Sequence, residues 1–443
     1  MDFARIINVD FDKKEGKIKP LTGLNSGPVL FARSLRYDIS DKFSEMSVST
    51  VRICDVEPPY GKNQFVDIHC LFPSFSADET LPESYNFTET DKYVTAAAKT
   101  GAQIIFRLGE SLDPYERKLY VGAPSDVEKW ARICEHIILH YNEGFADGFK
   151  LKIRYWEIWN MPELPEGWMG EESEFFAFYS CVASYLKERF PKLKFGGYGS
   201  LGFSAFNRLA VDGALAEAPQ YAERFLGYIA TEKAPLDFFT WYCVADTPEE
   251  VSLHAQYARN LLDRMGYRRA ASFIVGFNLE SASSGERVGY LTTHLASLIT
   301  AQRGAVDMLI YDDARPDASN NLVYTLNAGE VEMGPASYAL SAFSSLLLRG
   351  SAVESLGDSR REIYSLAARG TDSAALLIVS AEFSGRIDVK LKGADFRAFS
   401  VKRFAEDERG AVRVGVRRDI PLSGNKLTLS FEKNDVYLLE FDK

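Results

Sequence analysis

The sequence is poor in the residues that carry redox, metal and membrane chemistry. Only five of its 443 residues are cysteine, an odd number without a C-x-x-C pair, and only five are histidine. Reduced thiols are the ordinary state for this pattern, which is typical of a cytoplasmic protein. No uncharged stretch approaches the ~18 residues of a membrane-spanning helix. The N-terminus as given also lacks the basic and apolar segments of a secretory signal. We therefore expect a cytoplasmic protein with no membrane partner.

Positive charge is also scarce. The chain carries 51 Lys and Arg against 62 Asp and Glu, a net charge of −11, and contains no basic run interleaved with aromatic residues. This balance argues against nucleic acid and anionic lipid as partners. Hydrophobic residues make up 46% and charged residues 26%, as in an ordinary globular protein. The length predicts two or three domains, or one large α/β barrel with a smaller unit.

Motifs for metals, nucleotides and thiol nucleophiles are missing. His136 and His140 have a spacing that can place two ligands on one helix face, but they lie in an apolar helix without further ligands, which favours packing or capping. The glycine run 196–199 lacks the spacing of a dinucleotide-binding loop. Cys54 and Cys243 end predicted strands, but no histidine stands at either strand end as the base that a thiol nucleophile needs. The sequence therefore predicts no metal and no cofactor.

Strand-like runs alternate with helical patterns from about residue 20 to residue 348, which indicates repeated β–α units around a parallel sheet. The predicted strands are Lys19–Asn25, Val48–Cys54, Gln103–Gly109, Ile153–Asn160, Leu193–Gly199, Asp237–Cys243, Ser272–Asn278 and Val306–Asp313. The strongest helical periodicity covers Asp126–Tyr141, Glu174–Phe190, Pro248–Met265, Gly289–Arg303 and Pro335–Leu348. Eight strands that are each followed by a helix close most naturally into a (β/α)₈ barrel, the TIM barrel of the α/β class.

The pattern changes after the last of these helices. Runs with strand period and turn signals, without a long helix, fill the rest of the chain and predict an accessory antiparallel β-sandwich. The clearest of them are Ala374–Ser380, Ile387–Leu391, Phe399–Phe404 and Asp435–Phe441. The predicted division is a strand and hairpin at 1–18 that joins the sandwich, a barrel at 19–348, and the sandwich at 349–443.

The segment RYWEIWNMPELPEGW at residues 154–168 resembles a catalytic strand of family 39 glycoside hydrolases, the β-xylosidases, α-L-iduronidases and their relatives. In that family the pattern is W-x-x-W-N-E-P. The stretches VRICDVEPPYG, IIFRLGESLD, LDFFTWYC and VDMLIYDDARP resemble strands 2, 3, 6 and 8 of the family in the same order. The resemblance covers most of residues 1–345, and it implies a carbohydrate cleft at the carboxyl ends of the barrel strands.

The departures from the family lie where its chemistry occurs. The general acid/base glutamate of the family corresponds to Met161, and its nucleophile corresponds to Gly276 in SFIVGFNLE. Tyr242 stands where the S-W-H pattern of strand 6 has histidine, and Cys54 replaces another histidine frequent in the family. Retaining glycosidases need two carboxyl groups about 5–5.5 Å apart, and acid/base assistance is worth about 10²–10⁴-fold in rate. We therefore hypothesise that the retaining mechanism is lost.

Other carboxylates near the predicted mouth are candidates for the missing roles. They are Glu280 as a replacement nucleophile, Glu163 after the strand 4 exit, Glu110 at the mouth of strand 3, and Asp313 at the end of strand 8. Strand alternation directs only one of Asp312 and Asp313 inward. A solvated or structural carboxylate is the competing interpretation in each case. Glu157, deeper on strand 4, is expected to anchor a buried hydrogen-bond network.

Aromatic rings stack on the C–H faces of sugars while polar groups satisfy the hydroxyls. The candidate substrate-binding residues are Arg52, Asp55, Arg107, Trp159, Asn160, Trp241, Tyr242 and Asn278. Alternation places Trp159 on the same strand face as Met161, so cleft contact is predicted for it. A structural ion pair is an equal alternative for Arg52, Asp55 and Arg107.

Three functions remain open. The first is a saccharide-binding or regulatory homologue without the retaining mechanism, with an oligosaccharide or glycoside, or a partner protein, as its ligand. The second is an active O-glycosyl hydrolase that uses relocated carboxylates or substrate assistance. The third is another barrel reaction, such as a lyase or isomerase step, although no metal constellation supports it. Fold analogy alone does not choose between them.

Overall fold

The computed structural model describes residues 5–25, 27–32, 35–54, 65–113, 119–208, 211–280, 289–312, 323–327, 330–357, 362–406, 411–422 and 424–443. Two of the candidate site residues, Asp55 and Asp313, lie outside these ranges. Within the ranges, no helix combines the length and the apolar character needed to cross a lipid bilayer.

The strands are β1 Arg5–Lys17, β2 Gly23–Asn25, β3 Val29–Ala32, β4 Leu35–Asp38, β5 Thr50–Ile53, β6 Gln103–Leu108, β7 Tyr155–Ile158, β8 Lys194–Ser200, β9 Phe238–Ala245, β10 Ala271–Leu279, β11 Met308–Tyr311, β12 Tyr324–Asn327, β13 Glu330–Met333, β14 Ser351–Leu356, β15 Ile363–Arg369, β16 Ser373–Ser380, β17 Gly385–Lys392, β18 Ala398–Glu406, β19 Val412–Pro421, β20 Lys426–Phe431 and β21 Val436–Asp442.

The α-helices are α1 Ser40–Glu45, α2 Ile68–Leu71, α3 Thr88–Lys99, α4 Val127–Asn142, α5 Glu172–Arg189, α6 Gly213–Thr231, α7 Pro248–Arg264, α8 Tyr290–Arg303 and α9 Pro335–Leu347. Short 3₁₀ turns occur at Pro82–Ser84, Phe145–Asp147 and Ser204–Phe206.

Eight of the strands close into a parallel barrel in the order β2, β5, β6, β7, β8, β9, β10, β11 and back to β2. Each of the eight predicted strands has its counterpart in this barrel, so the predicted fold class is confirmed. Apolar side chains from β6, β9, β10 and β11 fill the barrel interior. They are Ile105, Phe238, Phe273, Val275, Met308 and Ile310. Burying one such side chain contributes about 1.5–3 kcal/mol.

The surrounding helices cover the outer face of the barrel, as α4 illustrates. Asp126 caps it by accepting a hydrogen bond from the Lys129 backbone N–H at 2.8 Å, a type of contact worth about 1 kcal/mol. Its apolar stripe includes Trp130 and Tyr141, both buried. The Tyr141 ring lies 5.5 Å from the ring of Phe106 on β6. The apolar residues that recur with a 3.6-residue period in the sequence thus form the face of α4 that packs against the barrel.

Nine further strands form a curled sheet in the order β19, β18, β21, β16, β15, β14, β1, β17, β20, while β3 pairs with β4 and β12 with β13 in two-stranded sheets. β1 is a single strand of 13 residues, rather than a strand and hairpin. It pairs antiparallel with β14 and parallel with β17, so the accessory sheet is mixed and not purely antiparallel. The barrel and the sheet are joined through α8, because Arg303 donates to the Ser365 carbonyl at 2.7 Å.

Candidate active site

Arg52 is the centre of a buried polar cluster at the carboxyl ends of the barrel strands. This side chain from β5 has no exposed surface. Its Nε donates to Glu157 Oε2 at 2.6 Å, its Nη2 to Asn160 Oδ1 at 2.8 Å, and its Nη1 to the Tyr242 hydroxyl at 3.0 Å. Burial alone would lower the pKa of Arg52, but Cys54, Glu157 and Tyr242 together raise it well above its ordinary value. The guanidinium is therefore a permanent cation that ties three strands together.

The cluster continues to the first and last strands of the barrel. Asn25 donates from Nδ2 to the Val275 carbonyl at 2.9 Å and to Asp312 Oδ1 at 3.1 Å. Arg52 Nη1 lies 3.4 Å from Asn25 Oδ1. Glu157 is fully buried and, as expected from its depth, belongs to this network. Its second oxygen, Oε1, has no hydrogen-bond partner among the described residues.

Gly276, at the expected nucleophile position, has no room for a side chain. A Cβ built on it would lie 2.1 Å from Cδ1 and 2.3 Å from Cε1 of Tyr242. The Tyr242 ring is held there by its hydroxyl, which accepts from Arg52 and donates to Asn160 Oδ1 at 3.3 Å. The ring of Tyr242 therefore occupies the space that a carboxylate side chain at position 276 would enter.

Met161, at the expected acid/base position, lies three residues beyond the end of β7 at Ile158. Its φ is +49° and that of Trp159 is +71°, so the backbone leaves the strand conformation before it reaches Met161. The Met161 backbone N–H lies 3.2 Å from the carbonyl of Gly199 on β8, which holds the turn against the next strand. A thioether transfers no proton at neutral pH, so residue 161 supplies no acid or base.

The expectation that Trp159 contacts a ligand in the cleft is wrong. Its ring is only 1% exposed and lies 5.1 Å from Trp168, 5.3 Å from Phe178 and 6.2 Å from Trp130. Its Nε1 donates to the Gly167 carbonyl at 2.8 Å. The alternation that placed Trp159 beside Met161 does not apply, because β7 ends at Ile158 and the chain turns.

Trp241 also faces the helices rather than the cleft. On β9 its neighbours Phe238 and Tyr242 pack toward the barrel interior. Trp241 is fully buried, its Nε1 donates to Ser272 Oγ at 3.0 Å, and its ring lies 5.4 Å from Phe203. Cleft contact by Trp241 is therefore excluded, and Tyr242 is the aromatic side chain of this strand that reaches the site.

The carboxylates of Glu280 and Glu163 both bind other groups of the protein. Glu280 is 52% exposed and pairs with Arg208 at 2.5 Å, and Arg208 also binds Glu250 at 3.0 Å. Glu163 is half-buried with its Oε2 atom enclosed, and its Oε1 accepts from Ser200 Oγ at 2.9 Å and from the Leu201 N–H at 3.1 Å. Burial raises the pKa of Glu163 to about 7.

Glu110, at the mouth of β6, binds a histidine that the sequence left unassigned. Its Oε2 lies 2.5 Å from His69 Nδ1, and its Oε1 accepts from the His69 backbone N–H at 3.1 Å. Burial raises the pKa of Glu110 to about 7, against the lowering effect of His69. An adjacent His-Cys pair in VDIHC was the available sequence signal for this cluster.

Arg107 and Asn278 make structural contacts. Arg107 Nη2 donates to Asp67 Oδ1 at 2.7 Å and to Ser111 Oγ at 2.9 Å, which is the ion-pair alternative for this residue. Asn278 Oδ1 accepts from the Leu279 N–H at 2.9 Å and lies 3.5 Å from the Tyr311 hydroxyl. Both side chains therefore use these polar atoms in contacts within the protein.

One group of side chains has a composition that could hold a metal ion. Single ligand atoms of Asp67, His69 and Glu110 all lie within 4.8 Å of one another. Asp67 is already bound by Arg107 and Ser111, and His69 and Glu110 bind each other. Because an adjacent guanidinium repels a cation and the carboxylates have partners, hydrogen bonding accounts for this cluster without a metal.

A closed parallel barrel with a polar cluster at the carboxyl ends of its strands is the architecture of a TIM-barrel protein, in which active sites lie at that face. The profile of "Glycosyl hydrolases family 39" matches residues 7–265, and the chain belongs to this family. No curated protein sequence matches the chain.

Solved structures of glycosidases share the fold over the full length. A glucosidase from Croceicoccus marinus is 20% identical with a TM-score of 0.79, covering 100% of both chains. A monomeric β-xylosidase from Caulobacter crescentus CB15 is 14% identical with a TM-score of 0.69, covering 99% of both. An α-L-arabinofuranosidase from Thermotoga maritima, in complex with arabinose, is 11% identical with a TM-score of 0.72, covering 99% of this chain and 100% of the other. At these identities the likeness establishes the fold alone.

Proposed function

We propose that this protein is a saccharide-binding member of family 39 that has lost the retaining glycosidase mechanism. The observation that carries the proposal is the Tyr242 ring beside Gly276, where a Cβ would lie 2.1 Å from the ring. A nucleophile at 276 is therefore missing from the sequence and also sterically excluded by a neighbour. With Met161 at the second position, neither half of a carboxylate pair is present at the expected places.

The replacement carboxylates within the described residues support the same conclusion. A nucleophile must reach the anomeric carbon from a defined side, and an acid must reach the leaving oxygen. Glu280 instead contacts Arg208, Glu163 contacts the backbone after β8, and Glu110 contacts His69. Each would have to abandon a charge-assisted or backbone hydrogen bond, worth about 1–3 kcal/mol, before it could act on a glycoside.

Saccharide binding is the function that the remaining polar groups suit. Tyr242 and Asp312 are half-buried, and behind them lie the amides of Asn25 and Asn160 and the guanidinium of Arg52. A few fixed donors and acceptors beside a partly exposed aromatic ring are the usual means of orienting a sugar. The related structures are named as a glucosidase, a β-xylosidase and an α-L-arabinofuranosidase, so we propose pentose or hexose glycosides as the ligand class.

The test combines turnover with binding. Purified protein is assayed against p-nitrophenyl xylosides, arabinosides, glucosides and uronides, and the corresponding saccharides are titrated by calorimetry. We expect a calorimetric signal without turnover. Tyr242→Phe is expected to weaken binding about 3–10-fold through loss of one hydroxyl. Tyr437→Phe is the matched control, because the Tyr437 hydroxyl bonds to the Ser430 carbonyl in the accessory sheet.

An active hydrolase with relocated carboxylates is the second candidate, and one observation favours it. The pKa values of Glu163 and Glu110 are both raised by burial to about 7, the range in which a general acid operates best at neutral pH. Turnover that is abolished by Glu163→Gln or Glu110→Gln would establish this candidate and overturn the first. Turnover that survives both substitutions would direct attention to Asp313.

A further inference from the structure

His69, Cys70 and Glu110 form a chain of contacts that nothing in the carbohydrate function requires. Cys70 Sγ lies 3.3 Å from His69 Nε2. On the other side of the imidazole, Nδ1 lies 2.5 Å from Glu110 Oε2. The order thiol, imidazole, carboxylate is the arrangement that activates a cysteine, in which a base adjoins the sulfur and a third group orients the base.

The positions of the three side chains are fixed by neighbouring structure. His69 and Cys70 are adjacent in α2, and the Ile68 N–H at the start of α2 donates to the Gly109 carbonyl at 3.1 Å, next to Glu110. The ring of Tyr120 stacks on the His69 ring with 3.7 Å between centroids and an angle of 3° between planes. These contacts hold the imidazole between the sulfur and the carboxylate.

Access and charge also suit a reactive thiol. The His69 side chain is 24% exposed, whereas Glu110 is 6% exposed, and Cys70 is half-buried. Burial alone would lower the pKa of His69, but Cys70 and Glu110 raise it to about 11. Asp67, Arg107 and the Tyr120 phenol are the other titratable groups around this chain of contacts. The 3.3 Å contact places His69 Nε2 within reach of the Cys70 proton, and transfer of that proton leaves the nucleophilic form of a cysteine.

We propose that Cys70 is a reactive nucleophile, activated by the adjacent His69 and by Glu110, which orients the imidazole, and that it takes low-molecular-weight disulfides as its substrates. The Cys70 thiolate attacks one sulfur of the disulfide R–S–S–R. An S–S bond forms between Cys70 and that sulfur while the original S–S bond breaks, and the second sulfur leaves as the thiolate RS⁻. The Cys70 sulfur is oxidised, the leaving sulfur is reduced, and the incoming disulfide is the only co-reactant.

Cys181 is the internal control, because it is also a half-buried free cysteine. Burial is the main cause that raises the pKa of Cys181, and the nearby Glu128 and Asp126 raise it further. Its thiol is therefore expected to react slowly with disulfides and alkylating reagents. The full-length protein at pH 7 is treated with iodoacetamide in one series and with oxidised glutathione in another. Peptide mass spectrometry then follows modification of Cys70 and Cys181 over time.

We expect Cys70 to react about tenfold or more faster than Cys181 with both reagents. His69→Gln should bring the Cys70 rate down toward the Cys181 rate while leaving the Cys181 rate unchanged, and Glu110→Gln should lower it in the same direction. Equal rates for the two cysteines in the unsubstituted protein would overturn the proposal, and this comparison needs no variant to fold. A Cys70 rate unchanged by His69→Gln would overturn the assigned role of the histidine. The proposal does not depend on saccharide binding.

Discussion

Placing a single methyl group at residue 276 is the most direct probe of the altered active site. In Gly276→Ala the new Cβ would lie 2.1 Å from Tyr242 Cδ1. The ring would have to move by about 1.3 Å to reach an ordinary contact of 3.4 Å. The backbone at 276 is outside the left-handed region, so alanine itself is not strained there. The whole penalty should therefore come from the Tyr242 ring.

The magnitude follows from two effects. Overpacking a filled site costs about 1–3 kcal/mol. Displacing the ring also weakens the hydrogen bond from Arg52 to the Tyr242 hydroxyl, 3.0 Å long in the intact protein, and bonds to charged groups are worth about 1.5–3 kcal/mol. We expect Gly276→Ala to lower the free energy of unfolding by about 2–4 kcal/mol.

The assay is equilibrium urea unfolding of a double-mutant cycle. Tyr242→Ala removes the ring, so Gly276→Ala should cost almost nothing in that background, and the coupling energy should equal most of the single-variant penalty. Tyr242→Phe is the matched control, because it keeps the ring and should keep the steric part of the penalty. An equal cost of Gly276→Ala with and without the ring would refute the reasoning.

Three further predictions concern the buried groups around this site. Because burial raises the pKa of Glu163 to about 7 from an unfolded value of about 4.3, the folded state binds the extra proton between these values. The free energy of unfolding should therefore fall as pH rises from about 4.3 to about 7, by up to about 4 kcal/mol. The urea midpoints of Glu163→Gln should lack this slope. Arg52→Met leaves the Glu157 carboxylate buried without its cation and should lower the free energy of unfolding in urea by about 3–5 kcal/mol. Adding Glu157→Gln should restore part of that free energy. No restoration would argue against a stabilising Arg52–Glu157 ion pair. Trp159→Phe should lower the free energy of unfolding through loss of packing and of one hydrogen bond. Saccharide affinity measured by calorimetry should not change, because the ring is buried; a changed affinity would show that the ring contacts the ligand.

The barrel could be predicted because its strands carry a signal that tertiary contacts reinforce. Parallel strands covered on both faces appear as short apolar runs bounded by turns, and β6 and β9 are of this kind. Helix α6, Gly213–Thr231, did not stand out among the periodic segments. It contains Pro219 and begins at a glycine, both poor helix formers. Its burial of Phe225 and Leu226 against the barrel outweighs that local preference.

The site was less predictable than the barrel. The alternation of side chains between the two faces of a strand no longer applies once the strand ends. The absence of a carboxylate at residue 161 could be predicted, because it depends only on the identity of that residue. The side-chain direction of Trp159 depends on its positive φ, which no local sequence pattern indicates. The side-chain direction of Trp241 depends on which face of β9 points into the barrel, and the sequence alone does not determine this. The cluster of His69 with Glu110 joins residues 41 positions apart, so only the closed barrel brings them together.

The position of the Tyr242 ring and the absence of a side chain at Gly276 depend on each other. With any side chain at 276, the ring could not occupy its present place, and with the ring in place no carboxylate at 276 could be accommodated. A glutamate introduced at residue 276 alone would meet the Tyr242 ring and the hydrogen bond from Arg52 that holds it. A carboxylate at residue 276 would therefore need a second substitution that moves or removes the Tyr242 ring, as the proposed saccharide-binding function would lead one to expect.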